Sequence, residues 1–218
     1  HVGDKVFNEK GEIVEVIKEF YHQNVKMYRI TFSDKKSIEC CEDHLWKIFD
    51  QGVSKIVDTR WFTRQNHLGV RRMDALRNAT NYNYSIPRCA PVQFNSKEVF
   101  IHPYLLGALL GDGCLASSYV GFTSIDEYMI DKLSSLVPDG YELFSSQSME
   151  NISYNLVKKN RGGKENIIIS ELKRLKLMGT NSHTKFIPEM YKYNSVENRM
   201  QILQGLLDTD GYATTDNL

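Results

Sequence analysis

The sequence predicts an α+β protein in which an all-β N-terminal region precedes a C-terminal region of helices and strands. Short apolar stretches separated by turn residues dominate roughly the first hundred positions, whereas capped, helically periodic stretches follow. Hydrophobic residues make up 41% of the 218 positions, enough for real cores. This length suits one large or two modest domains. We place the boundary near residue 95 and divide the chain into 1–95 and 96–218.

The N-terminal region is predicted to consist of short strands. Turn signals such as 8–11 and 33–34 separate the apolar stretches. The predicted strands are 2–7, 13–19, 27–32, 36–40 and 46–49. A polar segment with little helical periodicity follows at 78–87, and prolines punctuate the chain after it. We therefore predict a linker between the two regions.

Two stretches of the C-terminal region repeat each other at an offset of 98 positions, 105–113 and 203–211. Each opens with leucine, has a small residue at its third and seventh places, and ends in Asp-Gly. Each predicts an apolar helix. Gly107 and Gly111 are four residues apart and share one helix face, and Gly205 and Thr209 take the same places in the second stretch. Small residues at this spacing allow two helix backbones to approach closely.

The two stretches both place a carboxylate at the end of a helix, where unpaired carbonyls make the potential negative. This placement costs a few tenths to about 1 kcal/mol. Gly113 and Gly211 suit the left-handed residue that often ends a helix. If the helices pack in parallel, Asp112 and Asp210 become neighbours and need a cation such as Mg²⁺. A metal between carboxylates serves phosphodiester hydrolysis. The alternative to a metal site is that each stretch is an ordinary core helix with a C-terminal cap.

Further helices and strands are predicted around these stretches. A serine cap and a stripe of apolar residues predict a helix over 124–133, and a second helix is predicted over 170–177, again capped by serine. The predicted strands of this region are 120–123, 153–157 and 165–169.

The formal net charge is zero, but the charges alternate in blocks. Residues 55–90 carry seven Lys/Arg and two Asp/Glu, 151–192 carry nine and three, and 91–150 carry two and eight. The predicted turn between the strands at 153–157 and 165–169 is basic and suits phosphate contact. Its basic residues are Lys158, Lys159, Arg161 and Lys164. The alternative for this segment is a solvated loop.

Residues 104–113 resemble the first signature motif, and 205–211 the second, of the LAGLIDADG (DOD-type) homing endonucleases. The resemblance implies αββαββα-type halves with the motif helices between them, Mg²⁺ bound by Asp112 and Asp210, and double-strand breaks at a long, specific DNA site. Asp208 fits the acidic residue that often precedes the final aspartate by two places, whereas Leu110 departs from that pattern. Lys185 lies in a Lys-x-Ile-Pro segment, whose lysine helps catalysis in the family.

The same resemblance implies that strands read double-stranded DNA in the major groove and that the protein is a monomer with pseudo-twofold symmetry. Tyr119, Thr123, Asn155 and Lys158 are the implied strand contacts, beside the basic turn. Two alternatives remain. One is a nucleic-acid-binding protein on this scaffold without nuclease activity, and the other is a splicing element whose nuclease has decayed.

The N-terminal region is similar to the Hint domain of inteins, at residues 2–6 and again at 41–46, and 43–45 match the second splicing block. The resemblance implies that His44 polarises and strains the peptide at the upstream splice junction, with the flanking host segments (exteins) as partners. The family usually has threonine three residues before this histidine, where this chain has Cys41. Residues 84–87, together with 91–94, resemble the bridge that joins a Hint domain to an inserted endonuclease.

Both splice junctions and the strands of a second endonuclease half are missing from 1–218, so we expect a fragment of an intein. Complete function then belongs to the parent protein. No apolar run approaches the roughly 20 residues of a membrane span, and no signal peptide is visible. Four cysteines without a CxxC pair argue against a zinc site or disulfide scaffold. We therefore expect an intracellular, cytoplasmic protein and no membrane partner.

Overall fold

The computed structural model describes residues 1–64, 72–74, 79–81, 84–116, 118–148, 151–160 and 166–212. The chain divides into two compact units, His1–Val92 and Gln93–Leu218. It has a mixed α+β fold, with several small antiparallel sheets and, among the described residues, six helices. None of these helices has both the length and the apolar character that crossing a bilayer requires.

The N-terminal unit contains short strands and one helix. In chain order they are β1 (Lys5–Phe7), β2 (Ile13–Glu15), β3 (Met27–Thr31), β4 (Ser37–Cys41), β5 (Leu45–Asp50), β6 (Val53–Asp58), α1 (Thr59–Arg64), β7 (Arg72–Asp74), β8 (Ala79–Asn81) and β9 (Tyr84–Ser85). They form the antiparallel sheets β1-β2, β3-β4, β6-β5-β9 and β7-β8. This region is therefore strand-rich, as predicted.

The core of this unit lies under β4, β5 and β6. Trp46 and Ile48 of β5 are buried two residues apart, as expected for one face of a strand, and Cys40 and Val57 pack with them. Thr59 is fully buried at the start of α1, and its hydroxyl accepts a 3.0 Å hydrogen bond from the Trp46 indole. A buried indole N–H is thus satisfied.

The predicted strands of the N-terminal unit are present, with shifted ends, but the prediction missed β6, α1 and β7. The predicted linker at 78–87 was wrong for the residues of β8 and β9. The latter pairs with β5 through Phe49↔Ser85 and Asp50↔Tyr84. A polar strand at a sheet edge lacks the alternating apolar pattern that would have revealed it.

The C-terminal unit contains the remaining elements. They are α2 (Pro103–Gly111), β10 (Gly113–Cys114), β11 (Gly121–Thr123), α3 (Glu127–Leu136), β12 (Tyr141–Ser148), β13 (Asn151–Lys158), α4 (Ile167–Arg174), α5 (Glu189–Lys192) and α6 (Val196–Asp210). The strands form one antiparallel sheet in the order β10-β11-β13-β12. The largest hydrophobic core of the described chain lies in this unit and centres on α2.

The register of the sheet separates a core face from an exposed face. Leu156 of β13 is buried and pairs with Leu143 of β12, whereas Asn155 pairs with Gly121 and Phe144 on the opposite face. Phe144 is 44% exposed. The alternation of side chains therefore leaves one side of the sheet open to solvent.

Two helix caps differ from their predictions. The cap of α3 is Asp126, whose side chain accepts from Tyr128 N, and not Ser124. The strand predicted at 165–169 was wrong, because α4 begins at Ile167 behind an Asn166 cap, and Ser170 therefore lies inside the helix. Asn166 accepts hydrogen bonds from two backbone N–H groups of the first turn, which starts the helix earlier.

The predicted hairpin around the basic turn was also wrong, because β13 pairs with the preceding strand β12 along its whole length. Lys158 ends β13 and pairs with buried Tyr141, and Lys159 follows it, exposed. Arg161 and Lys164 lie outside the described residues. The helix α4 takes the place of the strand that the hairpin would have needed.

Candidate active site

The two repeated stretches form α2 and the last part of α6, which pack in parallel along their small residues. A Cβ atom added to Gly107 would overlap the carbonyl oxygen of Ile202, and one added to Gly205 would overlap that of Tyr104. These contacts exchange when the two repeats are exchanged, since Tyr104 and Ile202 hold equivalent positions at the offset of 98. The helix pair is thus related locally by a pseudo-twofold axis.

The close approach continues to the C-terminal ends of both helices. A Cβ atom on Gly111 would overlap the hydroxyl of Thr209, its repeat equivalent, and would lie 3.4 Å from Oδ2 of Asp210. The prediction that small residues at the third and seventh places bring the backbones together is confirmed. The predicted left-handed glycines were wrong: neither Gly113 nor Gly211 has a positive φ, and Gly211 has a φ of −72°. A side chain at either position would instead overlap the preceding helical turn.

Asp112 and Asp210 lie together at this end of the helix pair. Burial raises the pKa of Asp112 and the negative charge of Asp210 raises it further, whereas the positive charge of Lys185 opposes this change. Both residues keep solvent access. The carboxylate of Asp112 is therefore only partly desolvated, and water still reaches it. The two acidic groups therefore form one electrostatically coupled pair.

Lys185 lies beside the carboxylate pair and supplies its nearby positive charge. Its ammonium donates hydrogen bonds to the carbonyl oxygens of Leu109, Gly111 and Gly113 at 3.0, 2.9 and 2.6 Å. Burial lowers the pKa of Lys185, and the charges of Asp210 and Asp112 oppose that change. The sequence stretch around Lys185 therefore reaches the end of α2 from more than 70 residues away.

The residues at this site fit a hard divalent cation with few protein ligands. Among the described residues, no group of three or more His, Cys, Asp or Glu side chains gathers as a potential metal site. Mg²⁺ is commonly held by one or two carboxylates, with water and substrate phosphates completing its shell. Asp112 and Asp210 provide this donor set. The charge of Asp210, which adds to the effect of burial on the pKa of Asp112, is a repulsion that a bound cation would relieve.

The predicted DNA contacts occupy two faces of the sheet. Thr123 and Asn155 belong to the exposed face by register, and Tyr119 is 51% exposed, with its ring 3.0 Å from the place where a Cβ atom on Gly121 would lie. Lys158 belongs to the face of Leu156 and is half-buried. Cys114 of β10 shares the exposed face through its pairing with Gly121. That face therefore begins two residues after Asp112.

Sequence reasoning did not find the polar contacts that fix α6 near α2 and α3. The hydroxyl of Tyr104 donates to Asp208 at 2.5 Å, and the ammonium of Lys132 contacts the same carboxylate at 3.3 Å. This ammonium also lies 3.7 Å from the centre of the Tyr104 ring. The carboxylate of Asp208 is thus bound by Tyr104 and Lys132. Its equivalent in the first repeat, Leu110, is instead buried in the core. The break in the repeat pattern at this position was the available signal.

In the N-terminal unit, His44 lies in the turn that leads into β5. Its backbone N–H donates to Cys41 O at 3.2 Å, and its carbonyl oxygen accepts from the backbone N–H and the hydroxyl of Thr59 at 3.0 and 3.3 Å. The imidazole is exposed and meets Trp46 edge-on, with ring centroids 5.0 Å apart. Cys41 thus contacts His44 through its backbone, in a tight turn.

No protein-family model and no curated protein matches this chain. The geometry of the paired helix ends and the resemblance of the motifs are therefore the grounds for assigning a function.

Proposed function

We propose that the C-terminal unit belongs to a site-specific DNA endonuclease of the LAGLIDADG type, carried within an intein whose Hint domain includes the N-terminal unit. The observation that carries the proposal is the parallel packing of α2 and α6, which brings Asp112 and Asp210 together at one end. The repeat alone predicted this pairing. Two carboxylates at two helix ends are electrostatically costly, and that cost favours a functional reason for the arrangement.

The roles of the residues follow from their chemistry. Asp112 and Asp210 would hold Mg²⁺, which when bound supplies an activated water and stabilises the charge that develops on a phosphodiester. Their carboxylates keep solvent access, so a DNA phosphate can approach them. The exposed sheet face with Thr123 and Asn155 would lie along the major groove, where side chains can read base edges. Lys159 would contact the phosphate backbone.

For the N-terminal unit the proposal assigns His44 to the upstream splice junction. Its exposed imidazole is held by a turn whose backbone is fixed to Thr59, which suits a side chain that must act on an incoming peptide. In the full-length protein, His44→Ala should reduce splicing sharply. Splicing at the native rate in that variant would remove His44 from the proposal without affecting the nuclease assignment.

The decisive experiment uses the full-length protein and a plasmid that carries the host gene without the intein. We expect Mg²⁺-dependent cleavage at the insertion site. Asp112→Asn should reduce cleavage by at least about 100-fold, because it removes a charged group at the reacting centre, while DNA binding is retained. The matched control is Asp131→Asn, an exposed aspartate of α3, which should cleave normally. Cleavage retained in Asp112→Asn would reject the metal-ligand assignment.

A second candidate is a nucleic-acid-binding protein on the same scaffold without nuclease activity. The observation in its favour is the exposed sheet face with Thr123 and Asn155, which can contact DNA whether or not Asp112 and Asp210 hold a metal ion. Specific DNA binding without cleavage, in either Mg²⁺ or Mn²⁺, would establish this candidate. An absence of specific binding to the insertion site would reject both.

A further inference from the structure

The ammonium group of Lys185 is fully engaged by the end of α2. An ammonium carries three N–H donors and no acceptor, and three carbonyl oxygens lie 2.6 to 3.0 Å from Nζ. They belong to Leu109, Gly111 and Gly113, in the last turn of α2 and just beyond it. The carbonyls of Leu109 and Gly111 belong to a helix end, where groups lack partners within the helix, and that of Gly113 follows at the start of β10. Each donor of Lys185 therefore has an acceptor in the backbone.

This geometry limits what Lys185 can do in a reaction. A protonated amine has no lone pair with which to accept a proton from water. Donating to a phosphate oxygen would require Lys185 to give up one of its three hydrogen bonds to the backbone. The three acceptors converge on one point, which suits a compact ammonium better than a planar guanidinium. The observed contacts thus favour a fixed charge over a proton carrier.

The surroundings hold Lys185 in this place. Its backbone N–H and that of Thr184 both donate to Asn181 O at 2.9 Å, and Asn181 N donates to the Thr184 hydroxyl at 2.9 Å. The turn is therefore closed by backbone and side-chain hydrogen bonds. Pro188 is buried and caps the start of α5 directly afterwards, which fixes the other side of the segment.

We propose that Lys185 is a positioning residue: by binding the carbonyl end of α2 it offsets the negative potential there and lets Asp112 and Asp210 lie together as metal ligands. Each helix end contributes roughly half a negative charge, and the two aspartates add two more. The ammonium of Lys185, held by its hydrogen bonds at the end of α2, places a positive charge beside these negative charges. The metal-ligand part of this inference rests on the proposed function, whereas the contact with α2 does not.

The first test uses the wild-type chain without metal or DNA. NMR detection of lysine ammonium protons should give a slowly exchanging signal for Lys185, because three hydrogen bonds protect it. Lys192 provides the control, since it is exposed on α5 and should exchange rapidly. Equal exchange at the two lysines would overturn the proposal, and this result requires no variant to fold.

The second test uses Lys185→Ala with Lys192→Ala as its control. We expect faster amide hydrogen exchange at 109–113 and Mg²⁺ affinity lower by about 10- to 100-fold, the usual range for groups that orient metal ligands. Added propylammonium should restore both properties in Lys185→Ala only. Native Mg²⁺ affinity and native amide exchange together with lost DNA cleavage would overturn the proposal and assign Lys185 a direct catalytic role. If the wild-type chain binds no Mg²⁺, the metal site of the proposed function fails, while the two exchange measurements still decide the role of Lys185.

Discussion

The helices α2 and α6 carry the same sequence pattern but lie in different surroundings. Every residue of α2 from Pro103 to Leu110 is buried, whereas α6 buries only Ile202 and Gly205. Equivalent leucines differ most: Leu109 is 2% exposed and Leu207 56% exposed. The shared pattern therefore specifies the contact between the helices and the position of the aspartates, but it does not specify what covers the far side of each helix.

The cover of α2 comes from residues between the two repeats. Phe122 and Leu156 of the sheet, Leu133 of α3 and Leu172 of α4 all belong to the core that contains α2. A helix that is apolar on all sides needs such a cover on each of them. By contrast, α6 carries exposed polar residues among its apolar ones, and its mean hydropathy is correspondingly lower. The two helices therefore contribute unequally to stability.

The largest expected effect comes from testing this inequality at equivalent leucines. Leu109→Ala should lower the free energy of unfolding of the C-terminal unit by about 3 kcal/mol, because it leaves a cavity in a packed core. Leu207→Ala should change it by less than about 0.5 kcal/mol, as surface substitutions do. Denaturant unfolding followed by far-UV circular dichroism measures both variants.

The chain provides an internal reference for these measurements. Both tryptophans, Trp46 and Trp61, belong to the N-terminal unit. Tryptophan fluorescence should therefore report an unchanged midpoint for that unit in both variants. A loss of similar size in Leu207→Ala and Leu109→Ala would contradict the described difference between the helices and would mean that α6 is covered as α2 is.

A smaller effect is expected where the helices are equivalent. Gly107→Ala and Gly205→Ala should each cost about 1–3 kcal/mol, because each new methyl group would overlap a backbone carbonyl of the partner helix. In a free helix the same change would be favourable by about 1 kcal/mol, so a loss identifies the contact. Gly111→Ala is a control in which the new methyl group would overlap a side chain, that of Thr209, and not a backbone carbonyl. Adding Thr209→Gly removes that side chain, so the double variant should recover the stability lost in Gly111→Ala. Strongly unequal costs at Gly107 and Gly205 would contradict the local pseudo-twofold axis.

The sequence predicted the part of the site that depends on local pattern. The repeat at 105–113 and 203–211 predicted both helices, and its small residues predicted the close approach, because backbone contact excludes larger side chains at those positions. The geometry of the helix ends was less predictable. Gly113 and Gly211 are required by the close approach of the preceding turn and not by a left-handed backbone, and both causes select the same amino acid.

The backbone contacts of Lys185 were not predicted from the sequence. Nothing in the stretch around Lys185 indicates that its ammonium would meet three carbonyl oxygens at and just beyond the end of α2, because those acceptors belong to the backbone and leave no trace in the sequence. The strand wrongly predicted at 165–169 failed for a related reason. Ile168 and Leu172, one helical turn apart, are both fully buried in the core. This packing and the Asn166 cap favour a helix over a strand in this segment.

The smallest expected effect concerns the charges at the shared end of the two helices. Burial and the charge of Asp210 raise the pKa of Asp112 above its ordinary value, so the folded chain holds this proton more tightly than the unfolded chain does. The stabilising contribution of protonated Asp112 is present below the ordinary pKa of an aspartate and is lost as the pH rises through the folded value. At neutral pH the ionised group therefore costs stability. Asp112→Asn should raise the free energy of unfolding at pH 7 by about 0.5 kcal/mol, a value kept small because the group remains accessible to solvent.

The pH dependence of this gain distinguishes charge from shape. The advantage of Asp112→Asn over the wild type should be largest at neutral pH and should shrink as the pH falls through the folded pKa, since the wild-type carboxyl group then becomes neutral as well. Chemical unfolding in metal-free buffer at several pH values measures this difference, and Asp131→Asn on the exposed side of α3 is the control. A gain that stays constant with pH would mean that the introduced amide side chain improves packing, and the electrostatic account of the paired helix ends would then be wrong.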